Sequence, residues 1–233
     1  MKEGTNMEFI NNIMSIFQEH GTAFLEATWL TVSITVVSLI FATVIGIIVA
    51  ALKISSIKVL NRIADIYIGL IRGTPLIVQI MFLYYGIASF IMLDSFTAGA
   101  LALGVHSGAY IAEIFRGAIQ SIDKGQLEAA RSLGMPPSLA MRRIIFPQAL
   151  KRAIPPLGNQ FIIGLKDSSL VAYISVTELF NTALSAQGEN YMPFETYFVV
   201  GLYYLILVLI FTQIMNKVEA KFDVNRPKKV KVS

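Results

Sequence analysis

Cysteine is absent from the sequence, which excludes disulfides, thiolate catalysis and cysteine-based metal sites. Charge is scarce as well. Asp, Glu, Lys and Arg make up 15% of the 233 residues, against about 25% in an ordinary soluble domain. No lysine is followed by Ser or Thr, so there is no phosphate loop of the form G-x-x-x-x-G-K-[ST], and this chain is not expected to bind ATP in that manner. No internal repeat is found. Neither is a nucleophile–base pair or a metal cluster, so neither enzyme activity nor a cofactor of the chain's own is expected. The first 26 residues offer one lysine, then acidic and polar residues, and no small-residue cleavage site. A signal peptide is therefore not expected, and the first apolar run reads as an uncleaved span.

What fills the space is apolar, at 55% of residues. Residues 27–52 and 196–216 contain no charge, and about 20 such residues suffice to cross roughly 30 Å of hydrocarbon. Residues 63–93 allow a second span, 95–121 a third, and 153–177 a fourth, interrupted by Lys166 and Asp167. The expected fold is an all-α integral membrane protein of five transmembrane helices. Charge orients it. Three Lys or Arg residues lie in 53–62, seven in 116–152 and six in 217–231, whereas the opposite side holds only Lys2 against eight acids. The positive-inside rule then puts the N-terminus outside and the C-terminus in the cytoplasm. The net charge of +4 is thus a topology signal, and nucleic acid is not an expected partner.

Within this frame, Phe9, Ile10, Ile13, Met14 and Phe17 make an apolar stripe at helical spacing, which reads as an amphipathic helix over residues 1–22 on the outer membrane surface, or as a partner-docking helix. Arg72-Gly73-Thr74-Pro75 interrupts the second span. Pro75 removes a helical hydrogen bond, so a kink or short break is expected, and a break at membrane depth would line a cavity. In the third span Ala100, Gly104, Gly108 and Ala112 form a small-residue stripe for close helix packing. Another face stacks His106, Tyr110 and Glu113. His106 lies about ten residues, or about 15 Å, below the outer end. His106 reads either as a satisfied structural group or as a ligand contact, and Glu113 either as the i,i+3 partner of Arg116 or as facing a polar path.

Residues 123–150 are polar and basic. Asp123 to Leu133 reads as a short helix that Gly134 ends and Pro136-Pro137 forbids from continuing. The fourth span is expected to begin at Pro155-Pro156. Asn159 and Lys166 share one face of it, Gln160 and Asp167 the next, and Lys166-Asp167 either neutralise one another or serve a site. Residues 219–233 read as a basic cytoplasmic tail near anionic headgroups of the membrane lipid.

Glu128-Ala129-Ala130, three residues, Gly134, nine residues, then Ile144-Ile145-Phe146-Pro147 resembles the loop through which membrane subunits of ABC importers grip their ATPases, with Phe146 where leucine is usual. Arg72-Gly73-Thr74-Pro75-Leu76 with Gln79, Asn159-Gln160, Lys166-Asp167-Ser168-Ser169-Leu170 and Val176-Thr177-Glu178-Leu179 resemble signatures of the polar-amino-acid permeases within that group, closest to those for basic amino acids such as arginine. The resemblance covers residues 23–218. It implies a type I ABC importer permease in a prokaryotic cell (inner) membrane. The implied partners are two copies of an ABC ATPase subunit, which bind the ATP and Mg, a second permease copy or homologous chain, and an extracytoplasmic solute-binding protein. The implied cargo is a polar amino acid such as arginine, lysine or histidine. Substrate contacts fall on Thr74, Gln79, His106, Tyr110, Glu113, Asn159, Gln160 and Asp167. ATPase contacts fall on Glu128, Ala129, Ala130, Arg131, Gly134 and Pro147. A stand-alone carrier or channel using Glu113, His106 and Asp167 as a relay is the rival reading.

Overall fold

A computed structural model describes residues 2–222, with side chains from Met7 onward. Among these residues every regular element is helical: α1 (Lys2–Ile54), α2 (Lys58–Arg72), α3 (Leu76–Met81) continued by a π-helical turn (Phe82–Gly86), and α4 (Ser95–Gln120). Then come α5 (Lys124–Ser132), α6 (Pro137–Ala140) with a π-helical turn (Met141–Ile145), α7 (Phe146–Asp167) continued by a 3₁₀ turn (Ser168–Ile174), α8 (Leu179–Asn190) and α9 (Pro193–Lys221).

Three helices, α1 from Met7, α4 and α9, are long and apolar enough to cross a bilayer. A fourth crossing results if α2 and the α3–π segment count as one span, bent by 103°. The bend is far sharper than a kink. Thr74 precedes a proline and is pushed out of the α region; Pro75, with φ −63° and ψ 138°, is extended and restarts the helix as its N-cap. Residues 153–174 are helical but mark no crossing by length and apolarity alone, and Lys166 and Asp167 fall within them.

Two sequence expectations are corrected. The apolar stripe near the N-terminus is not a separate element, because α1 runs unbroken into the first apolar run. At 1.5 Å per residue its 53 residues span about 80 Å, well beyond a hydrocarbon core of about 30 Å. Its early turns pack on α9, with Phe9 5.7 and 5.6 Å from the rings of Phe194 and Phe198 and Asn12 Nδ2 donating to Glu195 Oε1 at 2.9 Å. The second correction is that Pro155-Pro156 lies inside α7 and does not begin it. The basic tail lies outside the described residues beyond 222.

α4 is the most enclosed crossing, 72% buried over its apolar window against 39% for α1 and 17% for α9. The small-residue stripe explains why α1 comes so close. A Cβ on Gly108 would sit 2.8 Å from Ile45 Cγ2, nearer than carbon atoms pack. Beside it, Tyr67 of α2 donates its hydroxyl to Val105 O at 2.6 Å. Around α1 lie three buried clusters. One joins α1, α2, α4 and α7 through Val49, Ile68, Ile111, Phe115 and Ala149. A second joins α1, α8 and α9 through Phe24, Leu179 and Val199. The third joins α1, α3, α4 and the 3₁₀ turn through Ile34, Ile80, Leu103 and Ile174. Outward faces stay apolar, with Ile40, Val44 and Ile47 exposed on α1 and Ile206, Leu209 and Ile210 on α9, as a hydrocarbon solvent requires.

Candidate functional site

The break between α2 and α3 leaves the last carbonyls of α2 without helical partners, and side chains fill the gap. Thr74 Oγ1 donates to Leu70 O at 2.8 Å. Gln79 Nε2, one turn into α3, donates to Ile71 O and Thr74 Oγ1, both at 2.8 Å, and more loosely to Thr74 O at 3.1 Å. That orientation leaves Gln79 Oε1 facing His106 Nδ1 at 3.0 Å. An amide oxygen only accepts, so Nδ1 holds the proton in this contact, and in the neutral tautomer Nε2 is an acceptor.

From His106 the polar contacts descend α4. The His106 and Tyr110 rings are 5.2 Å apart, and the Arg72 guanidinium stands over Tyr110 at 5.2 Å from its centroid, within cation–π range. Below lies Glu113. Arg116 holds it through two bonds, Nε to Oε1 at 2.9 Å and Nη2 to Oε2 at 2.7 Å, while Arg72 Nη1 stays 3.9 Å from Oε2. Arg116 Nη1 also reaches Gln120 Oε1 at 2.5 Å. Thr74, Gln79, His106, Tyr110 and Glu113 therefore form one continuous series, of which the sequence had placed His106, Tyr110 and Glu113 on one helix face. The series also holds Arg72, from the motif at the break. Its two guanidiniums face one carboxylate, and the arginine with weaker pairing is the more exposed, 45% against 29%.

Among the described residues no hydrogen bond or ion pair joins Asn159, Gln160 or Asp167 of α7 to this series. Gln160 is buried, Asn159 exposed and Asp167 half-buried. Lys166 and Asp167 do not neutralise each other in a direct ion pair. Lys166 instead lines a cavity of about 360 Å³ with Ser169, Phe180, Tyr197, Gly201 and Tyr204. Glu178 is fully buried and ties α8 to α9. It caps α8 by accepting from Phe180 N at 2.9 Å and Asn181 N at 2.8 Å, and it accepts from Tyr204 of α9 at 2.7 Å. Its neighbour Leu179 N donates to Thr31 Oγ1 of α1 at 3.1 Å.

At the far end of α4 the chain turns into α5, capped by Asp123 Oδ1 accepting from Gly125 N at 2.7 Å. The stop is as the sequence implies: Gly134, at φ +82°, takes the left-handed position that closes the helix. Gly134 N donates to Arg131 O at 2.9 Å and Met135 N to Ala130 O at 3.1 Å. Glu128, Ala129, Arg131, Gly134 and Pro147 are exposed. Ala130 is not; at 2% exposure it seats α5 on its own chain. Leu133, 83% exposed, presents an apolar side chain that the sequence left unremarked, its position beside the glycine stop being the available signal.

Residues 42–224 match a family described as binding-protein-dependent transport system inner membrane component. The chain is 38% identical over 203 residues to the arginine transport system permease protein ArtQ of Bacillus subtilis (strain 168), covering 86% of this chain and 93% of that protein. It is 37% identical, with the same coverage, to the glutamine transport system permease protein GlnP of Escherichia coli (strain K12). A crystal structure of an amino acid ABC transporter superposes with a TM-score of 0.85 at 38% identity, covering 90% of this chain and 98% of that one. The MetNI methionine ABC transporter shares the fold, with a TM-score of 0.77 at 20% identity over 89% of this chain and 98% of that one.

Proposed function

Because this chain belongs to the family of binding-protein-dependent transport system inner membrane components, we propose that it is the permease subunit of an ATP-driven importer, carrying a polar amino acid, basic by preference, into the cell. A separate ATPase pair hydrolyses ATP with Mg, a second permease copy or homologous chain completes the pathway, and an extracytoplasmic solute-binding protein delivers the cargo. Five crossings are formed by α1, the bent α2–α3 pair, α4, α7 and α9, with the N-terminus outside. The segregation of basic residues supports that orientation.

The observation that carries this reading is continuity. One helix, α4, bears the polar series from His106 to Arg116 and passes directly, through Ser121 and Asp123, into the exposed helix α5. ATPase closure pressing on α5 through Glu128, Ala129, Arg131 and Leu133 would displace the helix that lines the site. Alternating access follows if the two ends of α4 cannot move independently.

In the site, each charge of an amino acid has a suitable group. Both oxygens of Glu113 are already held by Arg116, so Glu113 acts chiefly to position the guanidiniums, and Arg72 keeps donors for the substrate α-carboxylate. The bare Nε2 of His106 accepts from the α-ammonium. Asp167, with no ion pair to Lys166, receives the cationic end of arginine, lysine or histidine, and Thr74, Gln79, Asn159 and Gln160 supply neutral polar contacts. The experiment is thermal stabilisation of the purified complex across a panel of amino acids. Arginine and lysine should raise the melting temperature more than glutamine does, and glutamate should leave it unchanged. The strongest response from glutamate would reverse the assignment of sign.

A further inference from the structure

Arg152 reaches from α7 across 31 residues of sequence to the end of α4. Its Nη1 donates to the carbonyl of Ser121 and to Ser121 Oγ at 3.0 Å. Ser121 is the C-cap of α4, its own N–H bound to Gly117 O at 2.9 Å. Its carbonyl is therefore among those a helix end leaves without a partner, where a cation also meets the negative end of the helix dipole. Two residues further on, Asp123 caps α5.

Arg152 also sits three residues before Pro155. The two prolines remove the N–H groups that would bond Lys151 and Arg152 carbonyls, so α7 is softened one turn beyond the contact. On the cytoplasmic side of that soft point, Ile145 and Ala149 share a buried cluster with Phe115, Ala118 and Ile122. Beneath α5 a cavity of about 380 Å³ is lined by Ile119, Ile122, Leu127, Met141 and Ile145 together with Gln120, Asp123 and Lys124. Packing there is open enough for α5 to yield into the space when pressed. A direct tie between α4 and α7 bypasses that compliance.

We infer that Arg152 is a positioning residue for coupling: it locks the end of α4 to the part of α7 that precedes the two prolines, so that displacement of α5 moves both helix ends together and reaches Glu113 along α4. This inference rests on the importer function proposed above. The test uses the complete importer in liposomes and measures amino acid moved per ATP hydrolysed. Arg152→Gln should keep ATP turnover and ATPase association while moving about tenfold less substrate per ATP, the scale of one lost charge-assisted hydrogen bond. Arg152→Lys, which keeps a cation but fewer donors, should lower the ratio by about threefold. Ser121→Ala, which keeps the carbonyl, should stay near wild type. A merely structural role would lower transport and hydrolysis in proportion and leave the ratio unchanged, which overturns the inference. Should Arg152→Gln fail to assemble, Arg152→Lys decides: a lowered ratio supports the tie, and an unchanged one overturns it. Absence of ATP-driven uptake in the wild-type complex overturns the function itself and this role with it, whereas normal wild-type uptake with unchanged ratios in the variants overturns the role of Arg152 alone.

Discussion

Glu113 and Asp167 are both partly buried acids on long helices, and their surroundings assign them different work. Two bonds from Arg116 neutralise Glu113 before any ligand arrives, while Lys166, beside Asp167, forms no ion pair with it and lines a cavity with residues of α8 and α9. Asp167→Asn should therefore depress arginine and lysine uptake about tenfold or more relative to glutamine, the factor that about 1.4 kcal/mol of lost ion pairing produces. Glu113→Gln should depress all three alike, because it releases the arginines that hold the pocket. Initial rates for the three amino acids in one preparation decide it, and the opposite pattern would assign the specificity role to Glu113. The residue types at both positions were legible in the sequence, as was the stacking of His106, Tyr110 and Glu113 at helical spacing. The choice of counter-ion was not. Whether Glu113 meets Arg116 or a ligand, and whether Lys166 faces Asp167, depends on rotamers that spacing leaves open.

At the scale of elements, α4 and α5 ended within one or two residues of where the sequence put them, because Asp94, Asp123 and Gly134 are local signals with local causes: two side-chain caps and a left-handed glycine. The misreadings share another cause. Hydropathy marks where lipid is tolerated, and nothing between Glu19 and Ala27 stops a helix, so α1 runs through the polar-to-apolar boundary. Conversely, the prolines of α7 looked like a start but are accommodated inside a helix, as happens where neighbouring groups satisfy the freed carbonyls. The α5 stop leads to a sharp expectation. Gly134→Leu forces a side chain into a left-handed backbone at a cost of about 1–2 kcal/mol and displaces the exposed loop. ATPase co-purification and coupled transport should fall strongly while the melting temperature of the permease without ATPase hardly changes. Ordinary transport by this variant would mean that α5 is not the coupling element.

For the whole molecule, the fold was legible as an all-helical membrane protein, and its similarity to an amino acid ABC transporter structure extends over 90% of the chain. The bend of 103° between α2 and α3 was not, since a proline in a span announces a break and not its angle. The natural lack of cysteine makes orientation directly measurable. A single cysteine at Glu19 should react with an impermeant thiol reagent added outside intact cells, and one at Gln126 only after the membrane is opened. The reverse would invert the topology and place α5 away from any cytoplasmic ATPase.

The central claim is that this chain moves an amino acid only when an attached ATPase drives it, and uptake in liposomes measures that most directly. Vesicles holding the permease with its ATPase, with the binding protein on the outer face and ATP on the ATPase face, should accumulate arginine against a gradient. The same vesicles without hydrolysable ATP, or with the permease alone under a proton gradient, should accumulate none. Accumulation by the permease alone under that gradient would contradict the account and make the chain a carrier in its own right.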